Sequence, residues 1–110
     1  MNGIKLCGTG AAAPAKIVTN DDMAAMVETN DEWITTRTGI KERHYCTEET
    51  LLSLCVDAAR QAMECSGVSP DDLGVCLVAT ISPDFVTPAV SCLLQRELGL
   101  PEDCLCMDLN

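Results

Sequence analysis

The chain is 110 residues long, 47% hydrophobic and strongly acidic, with 17 Asp and Glu against 7 Lys and Arg and a formal net charge of −10. That length supports one modest domain, able to bury about two-thirds of its unfolded surface, and the apolar content is that of a globular chain. The acid excess argues against a nucleic-acid partner, which asks for a positive face. No run of about eighteen apolar residues is present to span a membrane, and MNGIKLCGTG lacks the basic start and long apolar core of a secretory signal. The expected location is cytoplasmic.

In chain order, Ile4-Lys5-Leu6-Cys7 reads as a short strand running into Gly8-Thr9-Gly10. A G-x-G after a strand is part of a dinucleotide fingerprint, but no third glycine follows at the required spacing and Pro14 interrupts the segment. The glycines are therefore assigned to close packing or a bend. Asn20 caps a short helix over Asp21–Val27, with both Asp residues in the first turn. Thr29-Asn30-Asp31-Glu32 has the form of a capping box, which predicts a helix from Asn30 to about Arg37 and an exit turn at Gly39.

Glu49 or Thr50 opens a longer helix to about Cys65, with Leu51, Leu54, Cys55, Ala58, Ala59 and Ala62 as its apolar stripe and Gly67 as its stop. Ser69-Pro70-Asp71-Asp72 is a turn, and Leu73–Thr80 is a continuous apolar strand of the kind buried on both faces. Thr87-Pro88 forms an N-cap and first-position pair for a helix through Leu98, ended by Gly99, and Cys104–Asp108 is a third strand. The order is β, insertion, α, β, α, β, and the insertion of about 35 residues is longer than ordinary connections. With the strands parallel and in sequential order, right-handed crossovers put both long helices on one side of the sheet. The other face would be bare, so the chain reads as part of a larger α/β protein.

The segment Thr29–Tyr45 stands apart. It holds the only Trp, the only His and three of the seven cations, Arg37, Lys41 and Arg43. A basic cluster in an acidic chain points to an anion, and a flat ring beside it points to a ligand with a stackable plane and phosphates, as in a nucleotide-bearing coenzyme. Trp33 and Arg37 are four apart and share a helix face, so they could hold a ring by stacking and a phosphate by a guanidinium fork. Spacing alone leaves another reading open, in which Trp33 anchors a core and Arg37 pairs with Glu32 or Glu28.

Other chemistry has less support. His44 lacks a nucleophile partner and reads as a turn or surface residue. The pairs Asp71-Asp72 and Glu48-Glu49 sit at turns or helix starts, where solvated charge is expected. The eight cysteines include no CxxC pair. Cys104 and Cys106 would share a strand face, compatible with a metal or with core packing, but a structural site needs four well-spaced ligands. No metal is expected, and most of the cysteines read as reduced thiols acting as small hydrophobes.

Asp31–His44, reading D-E-W-I-x-x-R-T-G-I-x-x-R-H, closely resembles the signature of β-ketoacyl-acyl-carrier-protein synthase III, a family of the thiolase superfamily. The resemblance extends upstream through Gly8-Thr9-Gly10 and Pro14, and downstream through Ser66-Gly67-Val68 and Val78-Ala79-Thr80, and covers residues 1–110. It implies the N-terminal part of a thiolase-like fold, mainly a parallel sheet with helices and incomplete as given, with a coenzyme A-binding insertion at about 12–48.

The resemblance further implies an enzyme that takes an acyl group from an acyl-CoA and condenses it with malonyl-acyl-carrier-protein, the first condensation of fatty acid synthesis. The coenzyme A thioester would be a substrate, with no tightly bound cofactor, and the assembly a homodimer that also meets acyl carrier protein. Residue by residue, Trp33 falls where the family stacks on the adenine, Arg37 where it meets a phosphate, and Thr29 where it hydrogen-bonds the base. Thr87 falls near the dimer interface at a position lining the acyl pocket, where a small residue implies room for a longer or branched chain. The family's catalytic cysteine, at a helix N-terminus that lowers its pKa, falls beyond Asn110, as do its His and Asn. No residue of this chain is therefore expected to be catalytic. Two alternatives remain: a related enzyme of polyketide or other secondary metabolism, and a non-catalytic domain that binds coenzyme A or pairs with itself.

Overall fold

The structure, a computed structural model, describes residues 3–110, which divide into two compact units. One comprises residues 13–49, and the other residues up to Ala12 together with Thr50–Asn110.

In the second of these, Thr50 opens α3 (Leu51–Ser66), preceded in the chain by β1 (Lys16–Thr19), α1 (Asn20–Met26), α2 (Asp31–Thr38) and β2 (Glu42–Tyr45) of the other unit. Its hydroxyl accepts from the Ser53 amide, and Ser53 Oγ accepts in return from the Thr50 amide, so two otherwise orphaned donors are satisfied. Gly67 ends α3 in the left-handed conformation, φ 71°, which costs glycine nothing. A 3₁₀ turn at Pro70–Asp72 leads to β3 (Val75–Ala79), which pairs in parallel with β4 (Leu105–Leu109) from Val75↔Leu105 to Ala79↔Leu109. Between them runs α4 (Val90–Leu98), closed by Gly99.

Val56 of α3, Val78 of β3, and Val90 and Leu94 of α4 make the core, flanked by Leu51, Leu52, Cys55, Cys76 and Leu98. Both helices thus cover the same face of the sheet, as the crossover argument requires. The alternate residues Val75, Leu77, Leu105, Met107 and Leu109 are exposed on the other face. Leu73–Thr80 is therefore not buried on both faces among the described residues, because α3 and α4 pack on one side of the sheet.

Two further expectations need correcting. Residues 3–12 form no strand, and Ile4 and Leu6 lie in solvent. A strand exists through its ladder, and the register partners of β3 all lie on β4. What the segment does have is close packing: a Cβ on Gly8 would stand 2.5 Å from the Ala62 carbonyl, and one on Gly10 would overlap the Ala58 carbonyl. These glycines let the chain lie directly on the α3 backbone. The second correction concerns α4, which begins at Val90 and not at Thr87-Pro88, with Ala89 at its cap position. The Asp108 carboxylate of β4 does the capping, accepting from the Val90 amide at 2.7 Å and the Ser91 amide at 2.8 Å. Desolvation pushes the Asp108 pKa up, but these amide bonds prevail and hold it below the ordinary value.

The unit of residues 13–49 is built on an antiparallel pair, β1 (Lys16–Thr19) with β2 (Glu42–Tyr45), in the register Lys16↔Tyr45 to Thr19↔Glu42. Neither strand was expected from the sequence. α1 (Asn20–Met26) and α2 (Asp31–Thr38) fill the connection. Thr19, not Asn20, caps α1, in a reciprocal box with Asp22. Asn30, not Thr29, caps α2: its Oδ1 accepts from the Trp33 amide at 2.8 Å, and the box between Thr29 and Glu32 does not form. Gly39 ends α2 with φ 72°. Glu49 ties the base of the unit together, its carboxylate accepting from the amides of Ala15, Thr47 and Glu48.

Candidate functional site

The residues between α1 and β2 enclose an open hollow of about 570 Å³. Met23 of α1, Val27 just past its end, Trp33, Ile34 and Thr38 of α2, and Ile40 give it largely apolar walls, with Glu28, Thr29, Asn30 and Arg43 at polar points. Ile34 is the residue of α2 turned into the body of the unit, which leaves Trp33, one position earlier, half-exposed at 53%. An indole left in water at the lip of an apolar hollow offers a stacking surface.

Arg37 lies one turn along α2, with its guanidinium carbon 4.8 Å from the Trp33 ring centroid. This is a cation–π contact of the kind that i,i+4 spacing on a helix permits. Among the described residues Arg37 makes no ion pair with Glu28 or Glu32. The alternative reading of Trp33 as a buried anchor with Arg37 in an ion pair is thus not the arrangement found. The contact places the guanidinium beside the ring, one helical turn along α2.

Thr29 lines the same hollow, and its Oγ1 is buried without a hydrogen-bond partner among the described residues. A hydroxyl freed from capping by Asn30 is one that a ligand acceptor or donor can satisfy. Of the other cations grouped from the sequence, Lys41 is exposed, whereas Arg43 is drawn inward. Arg43 Nη2 donates to Asn20 Oδ1 at 2.8 Å, and Nη1 donates to the Val18 carbonyl at 3.3 Å. The structure therefore brings Thr29, Trp33 and Arg37 together in one unit. Thr87 belongs to the other unit, where it is exposed in the loop before α4.

His44 has its Nδ1 2.6 Å from the Pro14 carbonyl, which can only accept, so the ring donates there and serves the fold. The thiols divide evenly. Cys104 is buried, Cys55, Cys76 and Cys106 are partly buried, and Cys7, Cys46, Cys65 and Cys92 are exposed, so only half act as packing groups. Burial, with the neighbouring Cys104, pushes the Cys106 thiol up to about 11, and burial also raises Cys55 and Cys76. Thiols raised in this way stay protonated at neutral pH and are poor nucleophiles.

Sequence reasoning missed Asn20 as anything but a cap. Its burial follows from Thr19 taking the cap, a choice the run Thr19-Asn20-Asp21-Asp22 leaves open because either residue has an Asp at the box spacing or next to it.

No protein-family profile matches the chain. It is 46% identical over 110 residues to β-ketoacyl-[acyl-carrier-protein] synthase III of Clostridium acetobutylicum, covering all of this chain and 34% of that protein. It is 49% identical over 100 residues to the enzyme of the same name from Desulfitobacterium hafniense DCB-2, covering 90% of this chain and 30% of that protein. Among solved structures, 3-oxoacyl-[acyl-carrier-protein] synthase III from Aquifex aeolicus superposes with a TM-score of 0.92 at 39% identity, over 97% of this chain and 34% of that one. The priming β-ketosynthase of the R1128 polyketide pathway superposes at 0.89 with 32% identity, over 96% and 31%. The fold is therefore the α/β part of a thiolase-like synthase. Within that class, the chain is similar over nearly all of its length to one part of β-ketoacyl-[acyl-carrier-protein] synthase III enzymes. It spans about a third of the length of the curated relatives it matches, their N-terminal third.

Proposed function

We propose that the chain supplies the coenzyme-binding part of a condensing acyltransferase that starts fatty acid synthesis. In that reaction acyl-CoA and malonyl-acyl-carrier-protein give a β-ketoacyl-acyl-carrier-protein, carbon dioxide and coenzyme A. The coenzyme A thioester is substrate and not a resident cofactor. The working enzyme is a cytoplasmic homodimer that also receives acyl carrier protein, and Thr87 borders its acyl pocket.

The observation that carries this reading is the stack of Arg37 on a half-exposed Trp33 at the lip of an apolar hollow. The adenine stacks on the indole, Thr29 Oγ1 hydrogen-bonds the base, and the Arg37 fork takes a phosphate. Binding of this kind orients a thioester; it does not cleave one. The nucleophile is expected outside these residues, in keeping with the raised thiols of the core.

Calorimetric titration with coenzyme A tests the assignment. Saturable binding by the parent, weakened in both Trp33→Ala and Arg37→Ala, is expected. Equal binding by all three chains would overturn it.

A second reading has one specific support. The similarity to a priming β-ketosynthase of a polyketide pathway is compatible with a different acyl starter for the same chemistry. Competition among acyl-CoA thioesters of differing chain length separates the two.

A further inference from the structure

Asn20 is 2% exposed and its side-chain amide is fully engaged. Nδ2 donates to Asp31 Oδ1 at 2.7 Å and to the Ile40 carbonyl at 2.8 Å, with Thr35 Oγ1 at 3.3 Å. Oδ1 accepts from Arg43 Nη2 at 2.8 Å, and the backbone amide donates to the Lys41 carbonyl at 3.2 Å. One side chain at the start of α1 thus holds the first and middle turns of α2, the turn after it and β2. Asn20 is not part of the hollow's lining, but Trp33, Ile40 and Arg43, which it holds directly or through α2, are.

The geometry points to Asn20 as the positioning residue of the coenzyme hollow, acting through α2 and Arg43 to hold the Trp33 indole, and with it Arg37, in place for the phosphate-bearing ligand. This rests on the coenzyme reading proposed above. Only an amide fits the position, because two acceptors, Asp31 and Ile40, lie on one side and one donor, Arg43, on the other. A carboxylate would satisfy Arg43 but face Asp31 and the Ile40 carbonyl with like partial charge. The same hydrogen bond accounts for Asp31, whose pKa is lowered first by Asn20 and then by Thr35. The carboxylate is held as an acceptor, which is the state the amide needs.

The test is Asn20→Asp beside the swap Asn20→Asp/Asp31→Asn, which reverses the donor and acceptor of that one bond. Two readouts are taken: acrylamide quenching of the only tryptophan without ligand, and coenzyme A affinity by calorimetry. Asn20→Asp is expected to raise indole quenching and to weaken coenzyme A at least tenfold, with the swap recovering most of both. Parental quenching and affinity in Asn20→Asp would overturn the proposal. Should Asn20→Asp fail to fold by circular dichroism, the swap is read against the parent. A folded swap with parental quenching and affinity supports the proposal, and one that has lost them contradicts it. If the parent itself does not bind coenzyme A, the coenzyme reading falls, and the ligand-free quenching still decides whether Asn20 holds the indole.

Discussion

Removing the indole has two separable consequences. Trp33→Ala takes away the surface on which a base would stack, a loss of about 1–3 kcal/mol per base, or about 5- to 150-fold in affinity. It also takes away the support of Arg37, whose guanidinium carbon sits 4.8 Å from the ring centroid. Such a contact at an exposed site is worth about 0.5–1 kcal/mol. On the proposed reading, Arg37→Ala alone would remove a charge-assisted bond to phosphate, worth about 1.5–3 kcal/mol. Because the guanidinium is positioned by the ring, the two losses overlap. The double variant should bind coenzyme A about 2- to 5-fold more tightly than the product of the single effects, which is the coupling of about 0.5–1 kcal/mol read by a double-mutant cycle. Calorimetry on the four chains, each checked for parental circular dichroism, measures it. Strict additivity would refute the claim that the ring presents the guanidinium, and two unaffected single variants would refute the site altogether.

Three further outcomes follow from the packing and the ionisation. Gly10→Ala forces a Cβ into the α3 backbone, so urea unfolding should show a loss of about 1–3 kcal/mol, whereas Gly74→Ala, whose Cβ meets nothing within 4 Å, should be tolerated far better. Leu94→Ala opens the core beneath α4, where the leucine is 6% exposed, and should cost about 2–5 kcal/mol by the same measurement. Glu49 is held down to about 2 from 4.5 by the amides of Ala15 and Thr47. Its folded pKa is depressed, so its stabilisation is present above pH 4.5 and is lost as pH falls through about 2. Hydrogen exchange at the Ala15 and Thr47 amides should accelerate over that window in the parent and be fast at all pH in Glu49→Ala.

Much of the unit that carries β3 and β4 was legible, because its signals are local and mutually consistent. The stripe from Leu51 to Ala62, the stops at Gly67 and Gly99 and the two apolar strands each sit within two residues of their expected limits. The one-sided cover of the sheet was legible from handedness alone. What failed depended on partners remote in sequence. Ile4–Cys7 has strand composition but no ladder, and Thr87-Pro88 has helix-start composition, yet the cap comes from Asp108, 17 and 18 residues beyond Ser91 and Val90. In the other unit, Lys16–Thr19 carries a β-branched core that could have signalled a strand, but its mate, Glu42–Tyr45, is too polar to show a period. The pairing of Trp33 with Arg37 was readable from helical spacing, whereas the hub at Asn20 was not, because its partners at Asp31, Ile40 and Arg43 come from three later segments.

The most direct measurement separates the two halves of the coenzyme. Adenosine 3′,5′-bisphosphate and pantetheine are titrated individually into ¹⁵N-labelled chain while the Trp33 indole N–H resonance is followed. The bisphosphate alone should move that resonance saturably and pantetheine should leave it in place. A response to pantetheine only, or to neither, would contradict the assignment of the Trp33 hollow to the nucleotide end of a coenzyme A thioester.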